Sequence, residues 1–413
     1  MMPHRPHGSG RSHDPLSDLT FVRGRGTEVF DSHGGRYLDF IGGYSACVLG
    51  HCHPRLVQAA TEQMSRLSFA HAAQSHERMA LESAITECVM RDCPDAKVWM
   101  TTSGARGVEL AWKIASAVRP GGILRFDLAY HGRSLATASI SDTPRVNAFY
   151  LPSGHVRILP FPIVPPHEEG SLERRCEEIL CQAQDMLCQS HREISMLLIE
   201  PAIGSRGYYF APPWFCKRLA DLAHAFGVLV VSDEVQMGLG RLGEWSVAMA
   251  DGWQPDLVVL GKSLGGGILS MGAVMGQAEW MDALPEGIES ETYAAMPLAC
   301  RIGCEVIRIL EHEDLVGRAG IQGTKFRSRL RKLLPESLSI VGRGWATAIG
   351  FESYGNNGSK MAREWVFDLS KAGLLVHLTG PARDRLALIP PLNVSCDDVQ
   401  EALEILEHKS LSC

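Results

Sequence analysis

Residues 227–236 read GVLVVSDEVQ and residues 257–267 read LVVLGKSLGGG. Each is a short, unbroken apolar run that stops at a polar side chain, Asp233 in the first and Lys262 in the second. Runs of this length, rich in Val and Leu and bounded by glycine, read as strands covered on both faces, and such strands belong to parallel sheets. Ligands of these sheets bind beyond the carboxyl ends of the strands. The two runs therefore place a carboxylate and an amine at an edge where a ligand would sit.

Working outward, the chain alternates between the two periodicities. Strands are expected over 97–101, 122–127 and 195–199, and helices over 104–117 and 213–225. The strand at 195–199 runs into Glu200-Pro201, a third polar group at the same edge. Residues 27–40 (TEVFDSHGGRYLDF) read as a hairpin about a Ser-His-Gly-Gly turn, and Pro54 opens a helix. From about Pro297 a long helix leads into an α+β tail. The expected fold class is α/β, with a mainly parallel central sheet covered by helices on both faces. The expected organisation is a disordered leader over 1–19, a segment 20–47 that packs with the C-terminal tail, a large domain over 48–295 and a smaller α+β domain over 296–413.

Composition narrows the function classes. The 413 residues are 45% hydrophobic and 21% charged, ordinary for a globular protein and unlike a disordered chain. A formal net charge of −7 without a basic stripe argues against a nucleic-acid binder. No run of 18 or more apolar residues points to a membrane-spanning helix. The twelve cysteines are scattered without a CxxC pair, and the first residues lack an apolar signal core, so a reduced, cytoplasmic protein is expected. His4, His7 and His13 belong to a polar leader. His51-Cys52-His53 is too cramped for a tetrahedral zinc site and reads as a turn before Pro54.

Four local features carry chemistry. Ser103-Gly104-Ala105 follows a strand and starts a helix, so its free amides and the helix dipole can cradle a phosphate, or simply cap the helix. Tyr130-His131-Gly132-Arg133 sets an aromatic face beside a cation. Asp233 ends one buried strand, and Lys262 ends another ahead of a glycine run. An amine, an acid, an aromatic face and a phosphate cradle are together what pyridoxal phosphate requires.

These segments resemble the class-III aminotransferases, pyridoxal-phosphate enzymes of fold type I, and most of all the ornithine aminotransferases. The resemblance covers roughly residues 20–410 and implies that the central sheet is of the seven-stranded type. It is carried by DSHGGRYLDFIGGYSACVLGHCHP, TTSGARGVELAWKIA, YHGRSLATASIS, EPAIGSRGYYFAPP, SDEVQMGLGRLGEW, VVLGKSLGGG, ETYAAMPLAC and IPPL. It implies that Lys262 is the Schiff-base lysine and proton shuttle, and that Asp233 holds the pyridine nitrogen protonated. It implies that Gln236 lies near the phenolic oxygen, Tyr130 stacks on the ring, and Ser103, Gly104 and Ala105 bind the phosphate. Thr292 matches a residue that reaches the phosphate of a neighbouring subunit, which implies a homodimer with shared sites. Tyr44 and Arg133 match positions that hold a substrate's α-amino and α-carboxylate groups, so the resemblance implies an α-amino acid or amine substrate bound as an external aldimine. Glu200, Arg206 and Arg385 are the remaining candidates to face substrate.

The departures from the family pattern concern the second substrate. Ala387 stands where the family carries a carboxylate-binding arginine, and Ser205 where the ornithine enzymes carry the glutamate that gates it. Arg106 stands where the phosphate motif has glutamate, and Ala294-Ala295-Met296 replaces Gly-Gly-Asn. A charged hydrogen bond contributes about 1.5–3 kcal/mol, and about 1.4 kcal/mol is tenfold in affinity. Loss of a bidentate arginine should therefore weaken 2-oxoglutarate binding by about two orders of magnitude, unless Arg385 on the same strand face compensates. Two expectations follow. Either the acceptor or amine differs from the family's usual one, in specialised biosynthesis, or the enzyme performs elimination, replacement or carbon–carbon bond formation, with a second, phosphorylated substrate near Arg106. A catalytically silent regulator is disfavoured, because Lys262 and Asp233 are both retained.

Overall fold

In a computed structural model of the chain, the two apolar runs are neighbouring strands. Leu229–Asp233 pairs in parallel with Leu257–Leu260, and Asp233 lies opposite Val259. The structure describes residues 16, 18–70, 73–142, 155–163 and 171–411. The leader expected over 1–19 therefore falls almost wholly outside the described residues.

The two strands sit at the centre of a seven-stranded sheet. Its order is Ala96–Thr101, Gly272–Gln277, Leu257–Leu260, Leu229–Asp233, Ile194–Ile199, Gly122–Phe126 and Val156–Leu159. The last five run parallel, while Gly272–Gln277 is antiparallel to both of its neighbours. The unbroken apolar runs follow from this burial. Leu229 and Val231 pack on one face with Val108, Ala111 and Ile114 of the helix Gly104–Val118. Val230, between them, packs on the other face with Leu180 and Leu219 from the helices Leu172–Ser190 and Pro213–Ala225. Side chains alternate across a strand, so apolar cover on both sides demands an apolar residue at every position.

Two sequence readings shift in register or were missed. The strand expected from 227 begins at Leu229, because Gly227 closes the preceding helix with φ +66 and its N–H on His224 O. Gly272–Gln277 is a strand that the apolar pattern does not announce. Its two glycines dilute the apolar signal, and both are forced by close backbone. A Cβ on Gly272 would lie 2.7 Å from Ser103 O, and one on Gly276 2.4 Å from Asp256 O.

Two further sheets have four strands each. One joins Phe21–Arg25, Glu28–Asp31 and Arg36–Asp39 to Leu374–Leu375, so residues 21–39 share a sheet with the C-terminal part of the chain. The other orders Ser339–Arg343, Ala346–Gly350, Arg385–Leu388 and His377–Thr379. Ile389 N–H donates to Phe40 O at 2.7 Å, which draws this second sheet against the segment leading to Tyr44. No helix among the described residues is long and apolar enough to cross a membrane.

Candidate active site

Beyond the strand ends lies a cavity of about 490 Å³. Lys262, Asp233 and Glu200 all line it, as do Ser103, Gly104 and Ala105 on the side of the helix start. Lys262 follows Leu257–Leu260 through Gly261, whose Cα must pass close to other backbone. A Cβ there would come within 3.0 Å of Val235 Cγ1 and 3.2 Å of Gly104 Cα. Lys262 itself has φ +25, a left-handed conformation that a lysine holds only when its surroundings enforce it. Burial pushes its ammonium below the usual lysine range, with Asp233 and Glu200 opposing that shift. An amine so placed gives up its proton more readily than a surface lysine.

Asp233 is fixed at both oxygens. Its Oδ2 lies 2.7 Å from His131 Nδ1, and its Oδ1 accepts the N–H of Val235 at 3.1 Å. In the sequence His131 stands within Tyr130-His131-Gly132-Arg133, where no pattern assigns it a role. Its approach to Asp233 depends on two strand ends becoming neighbours, which no local spacing announces. The Nε2 of His131 is buried without a partner among the described residues.

Glu200 accepts the N–H of Tyr130 at 2.7 Å. Burial, and then the charge of Asp233, hold its carboxyl well above the usual range, while the Tyr130 N–H and Lys262 pull the other way. Glu200 therefore fixes the Tyr130 backbone as well as lining the cavity. Tyr130 and Arg133 line the cavity together, with the guanidinium 5.8 Å from the ring centroid. Gln236, also in the wall, donates through Nε2 to Tyr208 OH at 3.2 Å and to Tyr44 O at 3.4 Å. Its Oε1 is buried without a partner among the described residues. Gly204 makes room for it, since a Cβ there would lie 2.2 Å from that oxygen.

The residues expected to cradle a phosphate stand at the start of the helix Gly104–Val118. Ser103 caps it, its hydroxyl accepting the N–H of Arg106 at 3.3 Å. Glycine is required at 104, where a Cβ would stand 2.5 Å from Val235 Cγ1. The first amides of the helix thus remain beside the cavity with the positive end of its dipole.

The other expected residues are placed differently from one another. Tyr44 lies in a run, Gly42 to Ser45, whose φ values are all positive. Asp39 holds that turn, accepting the N–H groups of Ile41 and Gly42 at 2.9 and 3.0 Å while meeting His51 Nε2 at 2.8 Å. The Tyr44 ring packs edge-on against His377, and it is Ala46 that reaches the cavity wall. Thr292 is exposed on the isolated chain and is not part of the cavity wall. Arg206 is half-buried, with its Nε unpartnered among the described residues.

Arg385 does not line the cavity. It is buried, with Nε 2.8 Å from Glu352 Oε1 and Nη1 donating to Gly207 O at 2.8 Å, and its guanidinium lies 4.3 Å from the Tyr209 ring centroid. Its neighbour Ala387 is fully buried among Ala202, Tyr208, Ala348 and Ile389. Contrary to the expectation that Arg385 compensates for Ala387, its guanidinium is committed to Glu352 and to the hairpin formed by Ala202–Ile203 and Tyr209–Phe210. Nor does Arg106 offer the expected place for a phosphorylated substrate, since it does not line the cavity. That guanidinium is engaged by Glu109, Glu289 and Glu291.

The groups that remain fit pyridoxal phosphate: an amine, an anchored carboxylate, an aromatic residue and an amide-rich helix start around one cavity, with two unpartnered buried polar atoms in its wall. The comparisons with known proteins agree. The 2-aminoadipate transaminase of Pseudomonas putida is 32% identical over 403 residues, covering 94% of this chain and 95% of that protein. The 4-aminobutyrate aminotransferase of Escherichia coli is 31% identical, covering 98% and 95%. Among solved structures, the ornithine aminotransferase of Toxoplasma gondii superposes with a TM-score of 0.83 at 27% identity, covering 97% of this chain and 92% of that one. The family model described as aminotransferase class-III matches residues 9–409. With that match over nearly its whole length, the chain belongs to the class-III aminotransferases, the pyridoxal-phosphate enzymes of fold type I.

Proposed function

We propose that this protein transfers the amino group of an α-amino acid or amine to an acceptor that is not gripped by a guanidinium at position 387. The observation that carries this reading is the pairing of an intact Lys262–Asp233 site with an Ala387 sealed in apolar packing. Bound in the cavity, pyridoxal phosphate would supply the electron sink that labilises a bond at the amino-bearing carbon. The chain supplies the rest. Lys262, whose burial favours the uncharged amine, removes and returns a proton at that carbon. Asp233, steadied by His131 and the Val235 N–H, sets a negative charge where a ring nitrogen must stay protonated. Ser103, Gly104 and Ala105 bind the phosphate at the helix start, and Gln236 stands by the ring oxygen. Tyr130 lends its face and Arg133 takes the substrate's carboxylate, while the Tyr44 ring, packed on His377, stands outside the cavity wall.

The working unit in this reading is a homodimer, in which Thr292 of each chain serves the other's phosphate. Exposed apolar side chains near it, Ile288 and Tyr293, support a buried location in such an assembly. The described cysteines are free thiols, which supports the cytoplasmic placement.

A second reading is favoured by the same corrected residues. With the substrate-amino-acid side retained and no carboxylate grip at 387, the enzyme would perform elimination, replacement or carbon–carbon bond formation and need no keto acid. Both readings suit specialised biosynthesis. Incubation with a panel of amino acids and amines, with and without keto acids, followed by mass spectrometry of products, separates them. Amino transfer to an added keto acid supports the first, and turnover in its absence supports the second. Absorbance of wild type and Lys262→Ala after exposure to pyridoxal phosphate tests both, and a wild type that takes up none would overturn them together.

A further inference from the structure

We propose that Arg106 is a positioning residue that ties together three segments around the site, so that affinity for the cofactor's phosphate depends on its charge. The inference rests on the pyridoxal phosphate reading above. Arg106 directly follows Ala105 but is not in the cavity wall, so it acts through its partners. Its guanidinium meets Glu109 on its own helix, Glu289 Oε1 at 2.7 Å and Glu291 Oε1 at 3.3 Å.

The three carboxylates connect Arg106 to segments beyond its own helix. The second oxygen of Glu291 accepts the N–H of Thr102 at 3.1 Å and also its hydroxyl, and Thr102 precedes the capping Ser103. Glu291 is also the residue before Thr292. The second oxygen of Glu109 accepts from the Ser134 hydroxyl, next to Arg133. Glu289, its side chain only 2% exposed, is shared between Arg106 and Lys113. The cradle at 103–105, the loop bearing Thr292 and the segment 130–134 therefore converge on one cation.

Without that cation, three carboxylates would face one another with Lys113 as the remaining counter-charge of the cluster. The most deeply buried of them, Glu289, would be left with half its pairing. The loop at 289–292 and the hydroxyl of Ser134 would relax outward, and the amides of the cradle would lose their fixed angle to a phosphate. This explains an arginine at a position where the family's motif has glutamate: here the surrounding charges are Glu109, Glu289 and Glu291, and a fourth carboxylate would repel all three.

The experiment compares dissociation constants for pyridoxal phosphate and for pyridoxal, which lacks the phosphate, in cofactor-free wild type, Arg106→Gln and Arg106→Lys. Arg106→Gln should weaken pyridoxal phosphate binding about tenfold or more, the scale of one charged hydrogen bond, while pyridoxal binding stays within about twofold. Arg106→Lys should keep most of the affinity, and Glu291→Gln added to Arg106→Gln should restore part of it by removing one repelling charge. A general structural defect would weaken both ligands alike, and that result overturns the proposal, as does unchanged binding of both. Should Arg106→Gln fail to fold, the smaller phosphate-selective loss in Arg106→Lys decides the matter in the same way. A wild type that binds neither ligand overturns the underlying site reading instead, a distinct result.

Discussion

His131 Nδ1 stands 2.7 Å from Asp233 Oδ2, and both side chains are buried. Asp233 therefore has a defined orientation, with one oxygen on the imidazole and the other on the Val235 N–H. Removing the imidazole leaves the carboxylate held through the Val235 N–H on one oxygen, with the other oxygen released. A hydrogen bond to a charged group contributes about 1.5–3 kcal/mol, so His131→Ala should lower kcat by about 10–100-fold. His131→Asn keeps a donor near the Nδ1 position and should recover a large part of that loss. Steady-state kinetics on the best amino donor check this, and an alanine variant within twofold of wild type would remove His131 from the machinery.

Glu200 predicts a pH dependence of the cofactor-free protein. Its folded pKa lies well above the ordinary 4.5, chiefly through burial. Below 4.5 the folded and unfolded chains both carry it protonated, and it imposes no penalty. As pH rises past 4.5 the unfolded chain ionises first, so stability falls until the folded pKa is passed and then levels off. Glu200→Gln keeps an acceptor for the Tyr130 N–H and has no charge to bury. Its melting temperature should match wild type in acid and exceed it increasingly as pH rises toward neutrality. A difference that stays constant across that range would show that Glu200 does not titrate in this way.

What was legible in the chain follows from which interactions are local. The apolar runs at 229–233 and 257–260 announced strands because cover on both faces leaves no polar position, as Val230 between Leu229 and Val231 illustrates. The polar residues ending those runs announced the edge where a ligand binds. The His131–Asp233 contact spans 102 residues of chain and exists only because of strand order, which the pattern does not encode. For Arg385 the strand and the shared face with Ala387 were readable, but its partner Glu352 was not. Arg106 was readable as a departure, whereas its purpose required Glu289 and Glu291 to be folded against it.

Arg385 predicts a loss of stability rather than of substrate recognition. It combines the ion pair to Glu352, the bond to Gly207 O and the contact with the Tyr209 ring, and its own side chain is 2% exposed. Breaking a buried pair from one side costs about 3–5 kcal/mol. Glu352 is 16% exposed, which places Arg385→Ala toward the lower end, about 3 kcal/mol. Glu352→Gln in the same background should add little, since the pair is already broken. Urea denaturation measures both, and KM values at a temperature where all variants are folded should stay close to wild type. A large rise in KM without a change in stability would return Arg385 to the substrate.

Ala387 predicts that the family's carboxylate grip cannot be restored by one substitution. It pairs with Ala348 and His377 on its two sides and packs under Ala202 and Tyr208, with no exposed surface. Ala387→Arg would force a long side chain into filled space, which costs about 1–3 kcal/mol in overpacking, and would bury a cation without a partner. The single variant should be strongly destabilised and should gain nothing with 2-oxoglutarate. Ser205→Glu supplies an anion on the facing hairpin, whose residue 205 already touches the same sheet through Thr379 Oγ1 on Ser205 O at 3.1 Å. The double variant should therefore melt above the single one and below wild type, the order expected when a new pair forms in space that has been filled with small apolar residues. A single Ala387→Arg variant that melts with wild type and turns over 2-oxoglutarate with a lowered KM would mean that the space had been open all along, and that the acceptor reading built on its closure is wrong.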